Sequence, residues 1–110
     1  MFVVTASRDT HDRICRLSAR GHSGFAEEGS DIVCAAVSTL MQSLHVGLSD
    51  VLKIDVTQRS DPKIPEMSIE WDASNDSDQQ LARTILLSLK AVANSYPEYV
   101  SVLEEDIHHD

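Results

Sequence analysis

Five short stretches of the chain carry the residue pattern of β-strands. Residues 1–6 are rich in β-branched and apolar side chains, and residues 13–19, 51–57 and 67–71 alternate apolar with polar positions. Residues 99–103 form the last such stretch. Polar residues separate the first two stretches, and a segment with two prolines separates the third from the fourth. We therefore predict two β-hairpins, followed later in the chain by a fifth strand.

Two longer segments repeat apolar residues at the spacing of an α-helix instead. Either Ser30 or Asp31 can cap the start of the first helix, because its side chain accepts a hydrogen bond from an unpaired amide of the first turn. This helix is expected to close over Gly47, Ser49 and Asp50. The second helix opens on a capping box at residues 77–80 and is expected to end near Ser95, shortly before a proline.

The predicted order of elements is therefore ββ-α-ββ-α-β. It is typical of an α+β fold, a two-layer sandwich in which a mixed β-sheet has both helices on one face. A chain of 110 residues can bury one hydrophobic core, so we expect residues 1–110 to form a single domain. The acidic residues 104–110 are predicted to form a frayed tail.

Charge restricts the class of partner. The chain has 18 acidic and 9 basic side chains, which gives a formal net charge of −9. Such a surface repels phosphate backbones, so we expect no direct nucleic-acid binding, whereas a basic protein segment would be attracted. The apolar residues of both helices extend beyond one stripe, and we therefore expect a homodimer formed through the helices.

The sequence shows no signs of membrane insertion or secretion. No run of 18 apolar residues occurs, and residues 1–9 lack the basic and long apolar regions of a signal peptide. We therefore expect a cytoplasmic protein without membrane contact, in which Cys15 and Cys34 are free thiols. Cys15 lies within a predicted strand and is expected to be a buried small apolar residue.

The chemically reactive residues concentrate in residues 21–40. Cys34 is predicted to lie in the first turn of a helix, where unpaired amides and the helix dipole favour a thiolate. His22 stands upstream, at the start of a glycine-containing loop. A thiol and an imidazole are the minimum for nucleophilic catalysis by cysteine, because the imidazole removes the thiol proton and later protonates the leaving amine. First-turn amides would then stabilise the oxyanion of the tetrahedral intermediate.

Other interpretations of these residues exist. A cysteine among isoleucine, valine and alanine on a helix is commonly a core residue, and a helix serine such as Ser38 commonly bonds its own backbone. The side chains that are chemically able to bind a metal ion show no CxxC or HxxxH spacing, so neither a metal site nor a cofactor is predicted. These side chains are His11, Cys15, His22, Cys34 and His45.

One stretch resembles the signature of a known family, the ribosomal-processing cysteine proteases of bacteria. The resemblance is carried by Gly-His-Ser-Gly at residues 21–24 and by Asp-Ile-Val-Cys-Ala-Ala-Val-Ser at residues 31–38, with a glycine-containing loop between them. It extends to the length of the chain and to the order of its elements, and so covers essentially the whole chain.

The resemblance implies a small α/β homodimer that acts as a cysteine endopeptidase. Family members remove a short N-terminal extension from the twenty-seventh protein of the large ribosomal subunit. By position in the motif, the nucleophile falls on Cys34 and the general base on His22. The supporting or substrate-binding positions fall on Gly21, Gly24, Asp31 and Ser38.

The sequence does not exclude two other classes of function. One is a non-catalytic module for ribosome assembly, which would bind the same basic segment without cutting it. The other is a thiol-based redox sensor, which is disfavoured because no second cysteine lies close to Cys34 in the sequence. Cleavage of a peptide that spans the extension distinguishes the protease from both.

Overall fold

The computed structural model describes residues 1–21, 30–61 and 66–107. Five β-strands, two α-helices and one short π-helical segment lie within them. The strands are β1 (Phe2–Arg8), β2 (Ile14–Gly21), β3 (Val56–Asp61), β4 (Glu66–Trp71) and β5 (Val100–Asp106). The helices are α1 (Ser30–Val46) and α2 (Asp76–Ser95), and a π turn (Gly47–Val51) directly follows α1. The predicted order of elements is confirmed.

The strands form one mixed sheet in the order β3-β4-β2-β1-β5. The pairs β1–β2, β2–β4 and β3–β4 are antiparallel, whereas β1 and β5 run parallel. Both predicted hairpins therefore form. The last strand can join β1 in parallel because α2 supplies the long crossover connection that a parallel pair needs.

The hydrophobic core lies between the sheet and the two helices. The helices contact each other and share one core with the strands, which places both on the same face of the sheet, as predicted. Buried residues recur at helical spacing along α1 and at alternate positions along the strands. They include Val33, Val37, Met41 and Leu44 from α1, Leu48 from the π turn, and Val4, Ala6, Leu17 and Ile69 from the strands.

The third strand begins at Val56, whereas the alternation of residues 51–57 predicted an earlier start. The preceding residues extend α1 instead, because in the π turn the amide of Leu52 donates to the carbonyl of Gly47 at 2.9 Å. A backbone amide committed to this turn cannot also pair in the sheet. The strand then continues to Asp61, through residues that were expected to form a turn.

Residues 104–106 belong to the sheet, so the prediction of a frayed tail is wrong for these residues, while residues 108–110 lie outside the described part of the chain. Strand β5 continues to Asp106. Glu104 forms salt bridges with Lys90 and Arg8, each at 3.0 Å. Hydrogen bonds from Lys90 and then from Arg8 lower the pKa of Glu104 below its ordinary value. Cations from α2 and β1 thus offset the negative charge that suggested fraying.

The capping box of α2 lies earlier than residues 77–80. Asn75 is the N-cap, and the box closes between Asn75 and Asp78. Asp78 is fully buried, and its carboxylate accepts the backbone amide of Asn75 at 3.0 Å. An asparagine followed three residues later by an aspartate can form the same kind of capping box as a serine followed by a glutamine. The sequence therefore contains two overlapping boxes, at residues 75–78 and 77–80, and the structure uses the first.

Helix α1 and the π turn are long and apolar enough to cross a membrane, judged by length and composition alone. The stretch Ile32–Val51 has a mean hydropathy of 1.5. However, one face of it is buried against the sheet and α2, and the core helix of a globular domain meets the same criteria. We therefore assign this helix to the core of the domain.

Candidate active site

Helix α1 presents Cys34 one turn after its first residue, Ser30. The prediction placed Cys34 in the first turn, but Ser30 is itself helical, so Cys34 opens the second turn. Amides without an intrahelical partner belong to the first four residues of a helix and therefore precede Cys34. The positive end of the helix dipole still lies within about one turn of the thiol.

The Cys34 side chain is partly exposed, whereas the valines beside it are buried. Val33 is 0% and Val37 is 2% exposed. Cys34 is a free thiol with intermediate exposure. It therefore lies at the edge of the buried stripe of α1, on a side that solvent reaches. The interpretation of Cys34 as a core residue is wrong.

Ser38 follows Cys34 by one helical turn and lies on the same side of α1. Its side chain is also partly exposed. The hydroxyl of Ser43 donates to the carbonyl of Thr39 at 2.8 Å, as helix serines commonly do. Among the residues that the structure describes, no such bond ties the Ser38 hydroxyl to its own helix. A ligand that reaches Cys34 can therefore also meet this hydroxyl.

Gly21 is the last residue of β2, and it pairs with Phe2 of β1. A Cβ atom added at Gly21 would overlap the Phe2 ring and would lie only 2.8 Å from its Cγ atom. The backbone of Gly21 does not adopt the left-handed conformation that favours glycine. A side chain at this position would therefore have to displace the Phe2 ring. No local pattern in the sequence indicates this contact, because it joins two strands.

The remaining predicted site residues lie wholly or partly outside the described residues. His22 and Gly24 belong to residues 22–29, which separate β2 from α1 in the sequence. Asp31 lies in the first turn of α1, and its side chain is not among those described. The structure thus describes both ends of this segment. The pairing of His22 with Cys34 stays a prediction.

Cys15, the other thiol, is enclosed at a bulge of β2. Ser7 pairs with Arg16 and Arg8 pairs with Ile14, which leaves Cys15 as the extra residue. Its side chain is 8% exposed, and its Sγ donates to the carbonyl of Ser7 at 3.5 Å. Burial raises the pKa of the Cys15 thiol. The prediction of a buried small apolar residue is confirmed.

Potential metal ligands stay apart. Within residues 1–21, 30–61 and 66–107, no three side chains of histidine, cysteine, aspartate or glutamate are placed to share a metal ion. His11 is exposed beside Thr10, and its Nδ1 atom lies 3.4 Å from the threonine hydroxyl. His45 lies in the last turn of α1, at the opposite end of the helix from Cys34.

The comparison with known families decides the class of protein. The model of the family Cysteine protease Prp matches residues 1–101. The chain belongs to this family. It is a cysteine-type peptidase, as predicted, and the matched range contains the whole segment from Gly21 to Ser38.

Individual relatives agree with this assignment. The chain is 35% identical over 89 residues to the ribosomal processing cysteine protease Prp of Mycoplasma genitalium. The aligned residues cover 81% of this chain and 87% of the relative. A crystal structure from Streptococcus mutans has a TM-score of 0.84 at 29% identity and covers 96% of this chain and 95% of that one.

The fold is also that of Prp from Staphylococcus aureus. That protein was crystallised in complex with a substrate peptide, and the structure has a TM-score of 0.86 at 21% identity over 94% of this chain and 99% of the other. Its complex with a covalently linked product peptide has a TM-score of 0.82 at 22% identity, with the same coverage.

Proposed function

We propose that this protein is a cytoplasmic endopeptidase that removes the N-terminal extension of the twenty-seventh protein of the large ribosomal subunit. Cys34 is the proposed nucleophile and His22 the proposed general base. The observation that carries the proposal is the partly exposed thiol of Cys34 near the start of α1, beside buried Val33 and Val37. This thiol occupies the motif position of the family nucleophile.

The proposed reaction begins when His22 takes the proton of the Cys34 thiol and the thiolate attacks the carbonyl carbon of the scissile peptide bond. A carbon–sulfur bond forms, and the carbonyl oxygen becomes an oxyanion that nearby amides stabilise. Collapse of this intermediate breaks the carbon–nitrogen bond, and His22 gives its proton to the leaving amine. Water then hydrolyses the thioester and restores the thiol. The covalently linked product peptide of the Staphylococcus aureus relative supports such a route.

The other motif residues are proposed to support this chemistry. Ser38 is proposed to bind the substrate backbone, because its partly exposed side chain lies one turn from Cys34. Gly21 and Gly24 are proposed to shape the loop on either side of the general base. Asp31 is proposed to orient the imidazole or to hold the start of α1.

The acidity of the chain supports a basic substrate. Ribosomal proteins are basic, and a protein of net charge −9 attracts a positively charged extension over a distance of several ångströms or more at low salt. The Staphylococcus aureus relative binds a substrate peptide. A peptide of the same chemical class is therefore the proposed partner of this chain, and nucleic acid is not.

We also propose that two copies associate through α1. Only 28% of the apolar stretch Ile32–Val51 is buried within one copy. Ile32 is 62% and Val46 is 49% exposed, and their separation along the sequence places them on the same side of the helix. A second copy would cover these two apolar side chains. Sedimentation should show a dimer that Val46→Glu weakens, and a concentration-independent monomer would reject this part of the proposal.

The proposed function is tested with a synthetic peptide that spans the predicted extension and the first residues of the mature protein. Mass spectrometry should detect two fragments with the wild-type protein and intact peptide with Cys34→Ala. If the wild type binds the peptide and leaves it intact, the protein is a binding module instead. Reversible oxidation of Cys34 without any cleavage would favour a redox sensor.

A further inference from the structure

We infer that Phe2 is a positioning residue for the cleavage reaction and acts through Gly21, an inference that rests on the proposed role of His22. Phe2 stands outside the segment that carries the family motif. Its ring nevertheless packs on the residue that directly precedes His22 in the chain.

The contact between the ring and Gly21 leaves no space for a side chain. Three ring atoms of Phe2, namely Cδ1, Cε1 and Cγ, lie within 3 Å of the position that a Cβ atom of Gly21 would take, with Cγ at 2.8 Å. Three atoms of one ring at such short range mean that the ring covers the glycine. Gly21 is buried in this arrangement. The Phe2 ring therefore packs directly against the last residue of β2.

Phe2 is itself held from a third strand. Its amide donates to the carbonyl of Tyr99 at 2.7 Å, and its register partner in β5 is Val100, which is 2% exposed. The Phe2 side chain is partly buried and packs against the core. Because the backbone of Phe2 is fixed between β2 and β5, its ring can resist a shift of Gly21.

The position of this contact connects it to the reaction. Phe2 and Gly21 form the last residue pair of the β1–β2 ladder. The residue after Gly21 is the proposed general base, and this pair holds Gly21, the last described residue before it. A base that is displaced by about 1 Å can lose on the order of a hundredfold in rate. If the Phe2 ring holds Gly21 in place, loss of the ring is therefore expected to lower turnover more than substrate affinity.

A competing explanation of the same glycine exists, and the two can be separated. Gly21 could be glycine because the substrate backbone passes close to it, in which case the Phe2 ring is irrelevant. If the ring is what excludes a side chain, removal of the ring should make Gly21→Ala tolerable. A double-mutant cycle between the two positions measures this coupling directly.

The experiment compares Phe2→Ala, Gly21→Ala and the double variant in cleavage of the extension peptide. We expect kcat to fall about tenfold in Phe2→Ala and about a hundredfold in Gly21→Ala, with KM changed less than kcat. The double variant should recover to the level of Phe2→Ala alone. The acidic limb of the pH profile of kcat/KM should shift in Gly21→Ala, since the displaced base has new surroundings.

Gly47→Ala is the matched control. A Cβ atom at Gly47 would overlap the Leu81 side chain, with Leu81 Cδ1 at 3.2 Å, but Gly47 opens the π turn at the far end of α1 from Cys34. This variant should lower thermal stability and leave the pH profile of the folded enzyme unchanged. If Phe2→Ala does not fold, Phe2→Leu replaces it, because a flexible leucine can yield to the added methyl group.

Two results overturn the positioning role while the protease activity stands. One is a kcat of the folded Phe2→Ala or Phe2→Leu variant equal to that of the wild type. The other is a Gly21→Ala defect that persists undiminished in the double variant. The absence of cleavage by the wild-type protein would instead reject the proposed function, and the positioning role with it.

Discussion

The two cysteines of this protein are both free thiols, but their surroundings differ. Cys15 lies in the bulge of β2, is 8% exposed and donates its thiol hydrogen to a carbonyl of the neighbouring strand. Cys34 opens the second turn of α1 and lies at the edge of the buried face. The difference teaches that the position in the fold, more than the apolar sequence around a cysteine, separates an enclosed thiol from one that solvent can reach.

The charges around Cys15 strengthen the contrast. Burial makes the largest contribution to its raised pKa, and the carboxylates of Asp9 and Glu70 add to it, while Arg16 acts in the opposite direction. These surroundings favour the protonated thiol over the thiolate in the folded protein. Cys34 instead lies within about one turn of the positive end of a helix. Cys15 is thus a packing residue of the core, whereas the side chain of Cys34 is partly exposed to solvent.

The largest effect that we expect concerns activity. Cys34→Ala removes the proposed nucleophile and should lower cleavage of the extension peptide by at least about a thousandfold, whereas Cys15→Ser should stay within about twofold of the wild type. Initial rates with the two purified variants, checked for native circular dichroism, test this difference. Full activity of Cys34→Ala would overturn the assignment of the nucleophile.

A second difference concerns access of a reagent to each sulfur. Iodoacetamide should alkylate Cys34 in the folded protein, because its side chain is partly exposed, and should reach Cys15 only after the protein opens. Peptide mapping by mass spectrometry after timed quenching gives both rates in one sample. Equal rates at the two positions in the absence of denaturant would contradict the contrast that we draw.

The smallest effect concerns stability and its dependence on pH. Because the pKa of Cys15 is raised on folding, its contribution to stability is full below the unfolded pKa and is lost as the pH rises through the folded pKa. Cys15→Ser should cost about 1 kcal/mol at neutral pH and should reduce the loss of stability at alkaline pH, while Cys34→Ser changes neither by much. Urea unfolding from neutral to alkaline pH measures both, and identical alkaline losses in wild type and Cys15→Ser would refute this role of Cys15.

Local periodicity predicted most of the fold. Alternating strands and two apolar helices led to the correct order of elements, since a buried face imposes its own period on the sequence. The π turn was missed because Leu52 has an apolar side chain that suits a strand as well as the end of a helix. The salt bridges of Glu104 to Arg8 and Lys90 were missed because they join residues that are far apart or on different elements.

The candidate site likewise contains features that a local sequence pattern predicts and a contact that it does not. The placement of Cys34 and Ser38 on one side of α1 could be predicted from one short motif, because residues one helical turn apart share a side of the helix. The Phe2–Gly21 contact could not, since it depends on the register between two strands and on the shape of a ring. Exposure also excluded the interpretation of Cys34 as a core residue, which the apolar motif had left open.

The most direct test of the central claim locates the covalent bond that forms during cleavage. The wild-type protein and the extension peptide are mixed and quenched in acid within the first turnovers, and the modified peptide is mapped by mass spectrometry. We predict a thioester between the N-terminal part of the substrate and the sulfur of Cys34, which hydroxylamine releases. A substrate adduct on Cys15, or undiminished turnover by protein whose Cys34 is fully carboxymethylated, would contradict the account.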